Sequence, residues 1–77
     1  MKENRKPPLL YPVTAKHLRL LLRKHRWQQK ELAVLCDRTP SCVSHWVSGL
    51  SRPRVDDLQR IAQAFDVSVD WILGRDE

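Results

Sequence analysis

At 77 residues, 42% of them hydrophobic and with only two Gly, the chain holds one small domain and leaves no room for a separate effector domain. Its net charge of +5 is unevenly spread, with ten Lys and Arg against three Asp and Glu in residues 1–38 and four against six in residues 39–77, an asymmetry that favours a polyanion partner held in a salt-dependent way. No apolar run is long enough to span a bilayer or to serve as a secretory signal, and two cysteines do not make a disulfide framework, so the expectation is a cytoplasmic chain with free thiols.

In chain order, residues 1–13 (MKENRKPPLLYPV) contain three Pro and four charged side chains and read as an arm without regular structure. Lys2, Arg5 and Lys6 suit a phosphate backbone or a minor groove, or simply a solvated tail. Leu9, Leu10 and Tyr11 suggest that the arm docks on the domain or on a second subunit. Residues 14–77 form the domain proper. Thr14 is the expected cap of a first helix reaching about Lys24, with Leu18, Leu21 and Leu22 at core spacing and Leu20 widening the stripe.

The stretch from Gln28 to Gly49 reads as two short helices around a tight turn. Leu32, Leu35 and Cys36 follow the i, i+3, i+4 rule beside small Ala33, so a helix is predicted over Gln29–Cys36. Thr39 and Pro40 then start a second, since Thr caps orphan amides and Pro is tolerated at the first helical position. Val43 and Trp46 supply its inner face, and Ser48-Gly49 ends it. Ser41, Ser44 and His45 lie on the opposite side, a short, polar, hydrogen-bonding surface. After a loop over 50–54, expected to be exposed, Val55, Leu58, Ile61, Ala62 and Phe65 mark a helix over Val55–Phe65, with Asp56 and Asp57 in its first turn. Ser68 caps a last helix through Leu73, with Trp71 and Ile72 apolar and Gly74 stopping it. The sum is an all-α chain of five helices.

Residues from about Lys16 to Gly74 resemble the helix-turn-helix domain of the lambda repressor and Cro type, the XRE family. The likeness rests on Gln29, Glu31-Leu32-Ala33, the position of Cys36, Thr39, Val43-Ser44, Trp46, Gly49, Pro53, Leu58, Ile61-Ala62 and the ending Val67-Ser68-Val69-Asp70. It implies a compact five-helix lambda-repressor-like bundle whose second motif helix enters the major groove of DNA. Carried over by position, the bases would be met by Pro40, Ser41, Ser44 and His45. Phosphates would be met by Gln29 above all, with Gln28, Lys30, Thr39, Cys42, Ser48, Arg52 and Arg54 around the same face.

The chain departs from the family at several positions. Arg26 stands where the family commonly has Gly, so either it accepts an unfavourable backbone angle or the turn is built differently. Trp27 replaces a buried Leu and should pack in the core. Arg38 occupies an apolar position, and either snorkels or turns toward phosphate. Cys36 stands in for a buried aliphatic residue. Leu20 and Leu22 are usually polar, which gives the first helix extra apolar surface.

The functional expectation is a sequence-specific transcriptional regulator, a repressor binding a palindromic operator as a homodimer, since one short helix reads few base pairs and two-fold symmetry doubles the contacts. Its dimer surface is sought in the last helix, at Trp71 and Ile72, and in the arm. The alternative is an antitoxin-like protein-interaction module that holds a protein partner through Leu20, Leu22 and the arm. No glycine-rich phosphate loop or nucleophile–base pairing suggests an enzyme. No cofactor or metal is expected, because Cys36, Cys42 and His45 lack a fourth zinc ligand at suitable spacing, with only His17 and His25 to choose from.

Overall fold

The computed structural model describes residues 10–75; among them are five helices and no strand. The helices are α1 (Pro12–His25), α2 (Gln29–Cys36), α3 (Pro40–Ser48), α4 (Val55–Phe65) and α5 (Val69–Leu73). Lys2, Arg5, Lys6 and Leu9 lie outside the described residues.

The expected cap at Thr14 is replaced by an earlier start. Pro12 opens α1, because its fixed φ suits the first helical position and its missing N–H would have had no acceptor there anyway. Thr14 is instead buried inside the first turn. Ahead of the helix, the amides of Leu10 and Tyr11 both donate to the Gly49 carbonyl at 3.1 Å. The entry to α1 is therefore docked by its backbone on the end of α3.

Each helix contributes one side chain to the centre of the core. Leu18, Leu32, Val43, Ile61 and Ile72 are each at most 1% exposed, and Cys36, Trp46 and Phe65 fill the space around them. This is the convergence that the three-and-four spacing of each segment requires. Trp27 packs against this core, edge-on to Phe65 with ring centroids 4.8 Å apart. Four expectations change. Leu22 is buried, which leaves only Leu20 as the added apolar surface of α1. Ile72 is buried as well, so it is not available to a second subunit. Val55 is 67% exposed and drops out of the α4 core stripe. Pro53, expected in an exposed loop, is buried.

All five helices end on a left-handed residue: Arg26, Asp37, Gly49, Asp66 and Gly74. Arg26 accepts the unfavourable angle, with φ 60°. In return, the Trp27 amide reaches the Leu22 carbonyl at 2.8 Å and the indole turns back onto the core. At Gly74, φ is +78° and an added Cβ would collide with Val13 Cγ1.

Gly74→Ala is expected to lose about 1–2 kcal/mol from the backbone conformation alone, and more from the collision. Each kcal/mol lowers the melting temperature of a domain this size by about 4–8 °C. Thermal unfolding should show that Val13→Ala in the same chain recovers the steric part and leaves the backbone part. Full recovery would mean that the left-handed angle carries no strain.

Candidate nucleic-acid interface

The start of α3 is fixed locally. Thr39 has extended backbone and its Oγ1 accepts the Cys42 amide at 3.2 Å, while Pro40 fills the first helical position. The helix then divides by its period. Val43, Trp46 and Val47 turn inward and are buried; Pro40, Ser41, Ser44, His45 and Ser48 are exposed. Cys42 sits between the two sides, half-buried.

The start of α2 belongs to the same region of the motif. The Gln28 amide donates to Glu31 Oε1 at 2.6 Å, and Gln28, Gln29 and Lys30 are all exposed. The Glu31 carboxylate thus caps this end, and the amides of Glu31 and Leu32 bond the Gln28 carbonyl, which leaves the amides of Gln29 and Lys30 as the ones open at the start of α2. Hydroxyl chemistry separates two of the expected phosphate contacts. Thr39 Oγ1 is used as an acceptor and keeps its hydrogen free to donate. Ser48 Oγ already donates to the His45 carbonyl at 3.2 Å, so an outside acceptor would have to break that bond.

Loop 50–54 is split by Pro53, which is buried while Arg52 and Arg54 on either side are exposed. The Arg52 guanidinium lies over the Tyr11 ring, 5.6 Å from its centroid. This contact joins the root of the arm to the loop after α3.

Arg38 does neither of the things expected of it. Its Nε and Nη2 donate to Asp57 Oδ1 and Oδ2 at 3.0 and 3.1 Å, a two-pronged pairing with a fully buried carboxylate. Hydrogen bonding to Asp57, and then the carboxylate's charge, hold the guanidinium above its ordinary pKa. Asp57 Oδ2 also accepts the Arg54 amide at 3.0 Å. Two further arginines serve the frame: Arg60 donates to the Cys36 carbonyl at 3.2 Å at the end of α2, and Arg19 to the Val47 carbonyl near the end of α3. Sequence reasoning missed all three partnerships. Their partners lie 19 to 28 positions away, and no local spacing signals such a pairing.

The two thiols are free. Burial, with the Asp57 charge adding to it, pushes Cys36 up to about 11. Among the described residues no three His, Cys, Asp or Glu side chains are grouped to hold a metal ion, and no helix is long and apolar enough to cross a membrane.

The profile of the helix-turn-helix family matches residues 18–72, which takes in α2, the turn, α3 and α4 entire. The chain belongs to the lambda repressor-like (XRE) helix-turn-helix family. In this family member α2 and α3 are the two motif helices, and Asp37, Arg38 and Thr39 form the turn between them. It is similar to a transcriptional regulator from Listeria innocua, with a TM-score of 0.79 and 26% identity over 83% of this chain. The chain spans 60% of that regulator's length. A hypothetical transcription factor, NHTF, from Neisseria shares the fold, with a TM-score of 0.71 at 24% identity over 95% of this chain and 86% of the other. No curated protein matches the sequence.

Asp57 is buried while Arg38 is partly exposed, so removing Arg38 strands a buried carboxylate, and removing Asp57 takes the acceptor from the Arg54 amide and frees Arg38 to water. Arg38→Ala and Asp57→Ala should each lower the urea midpoint, and the double variant should lose less than the sum of the two. Arg38→Lys should not restore stability, because a point ammonium cannot bond both oxygens in plane. Additive losses would show that the two residues act independently.

Thiol labelling reads the cysteines separately. At pH 8 the Cys36 thiolate fraction is about one in a thousand. Iodoacetamide should therefore add one group to the native protein, at Cys42, and a second only after unfolding, with peptide mass spectrometry giving the positions. Rapid native alkylation of Cys36 would contradict its burial.

Proposed function

We propose that the protein is a sequence-specific DNA-binding transcriptional regulator that places α3 in the major groove. The observation that carries this reading is the division of α3: Val43, Trp46 and Val47 anchor the helix in the core while Pro40, Ser41, Ser44 and His45 stand free on its outer side. Pro40 offers van der Waals contact, such as to a thymine methyl. Ser41 and Ser44 donate or accept, and His45 reaches furthest, toward a guanine acceptor. Gln29, Thr39, Lys30, Arg52 and Arg54 grip the flanking phosphates, with Gln28, Cys42 and Ser48 in weaker positions. Lys2, Arg5 and Lys6 extend that grip along the duplex from the arm.

A helix of nine residues touches too few base pairs for useful discrimination. The protein therefore binds a palindromic operator as a homodimer, with half-sites about one helical turn apart. It represses by occupancy, which needs only that the bound dimer cover a promoter.

Selection of bound duplexes from a random pool tests this directly, and an inverted repeat is the expected product. Ser44→Ala and His45→Ala should each change the preferred bases, at about 1–3 kcal/mol per lost contact, whereas Arg52→Ala should weaken all sequences alike and reduce the salt slope by about one. Recovery of no preferred sequence, or base preference that follows Arg52 rather than α3, would overturn the assignment.

A further inference from the structure

Between the start of α4 and the returning α5 lies a groove of about 620 Å³ that the DNA reading uses only along one edge. Exposed Val55 and half-buried Val69 and Leu73 give it an aliphatic lining. Arg52, Arg54 and Arg75, all exposed, supply its charge. Arg75 is held by Asp70 at 3.0 Å, with the two side chains 67% and 63% exposed. A pair so open to water contributes little, and its guanidinium is readily diverted to another carboxylate.

A duplex answers only half of this surface: its phosphates satisfy arginines and leave Val55 and Leu73 in water. The chemistry that answers both halves is an aliphatic side chain flanked by carboxylates. Guanidinium binds carboxylate through paired N–H donors, and the aliphatic side chain would cover the valine and leucine surface. We propose that this groove docks a short acidic, leucine-bearing segment of a partner protein. Two of its arginines, Arg52 and Arg54, are also the proposed phosphate contacts. Resting on the DNA reading, this makes the segment a competitor of the duplex and its partner a release factor.

The probe is the capped peptide Glu-Asp-Leu-Leu-Asp-Glu, titrated by calorimetry into the full chain without DNA at low salt. Saturable one-site binding is expected, weakened about tenfold or more by Arg75→Glu and by serine in place of both leucines. Arg75→Glu should leave the preferred duplex sequence unchanged. Absence of binding, or equal binding of the serine peptide, overturns the proposal, the latter by reducing it to charge attraction. A dimer in sedimentation that Val55→Glu converts to monomer also overturns it, by giving the groove to a second copy. In the second arm the peptide is added to the protein–duplex complex. Release supports the shared arginines, and peptide binding with the duplex retained overturns the competition. A chain that binds the peptide but no duplex keeps the groove and loses the DNA reading.

Discussion

A carboxylate with no exposure to water, Asp57, clamps the turn of the motif to the start of α4. It is met by two N–H groups of Arg38 and by the Arg54 amide, at 3.0 to 3.1 Å. An anion in such a place is tolerated only when its oxygens are occupied. Arg38 stands in the turn between α2 and α3, so the pairing fixes the two motif helices as a unit against the third wall of the core. The direction in which α3 presents its outer face relative to loop 50–54 follows from that clamp. If the turn drifted, a charge would be stranded beneath it.

The same logic sorts the basic residues. A chain with 14 Lys and Arg invites the reading that they all serve a polyanion, yet Arg19, Arg38 and Arg60 are bonded to Val47, Asp57 and Cys36. Two of these hold carbonyls near helix ends, where the backbone lacks intrahelical donors. Among the described residues around the motif, Lys30, Arg52 and Arg54 remain as exposed cations. Short connections demand sharp reversals, and the chain obtains them from left-handed residues, three of them not Gly. Asp suits that conformation better than Arg does. At Arg26, the strain is offset where Trp27 packs against Phe65.

The outer face of α3 is short and polar, with Pro40, Ser41, Ser44, His45 and Ser48 exposed. Around it stand the start of α2, the Thr39 hydroxyl and the two exposed arginines on either side of buried Pro53. Burial of Pro53 is what turns Arg52 and Arg54 outward, and Arg52 in turn covers Tyr11, at the root of the arm.

Helix count, helix ends and the two-sided nature of α3 were legible in the residue order, because apolar periodicity, Thr39-Pro40, Ser68 and the two glycines act within a few positions of where they stand. The family likeness followed from the same local spacings. The start of α1 was misplaced because Pro12 and the Gly49 carbonyl outweigh Thr14, and that carbonyl is remote in sequence. Tertiary packing alone assigned Arg38 to Asp57, drew Pro53 and Ile72 inside, left Val55 in water, and raised the Cys36 thiol. For Arg38 the deciding neighbour, Asp57, lies on another helix. Periodicity says which side of a segment is apolar, but only packing determines how much of that side is covered and which distant group meets a charge.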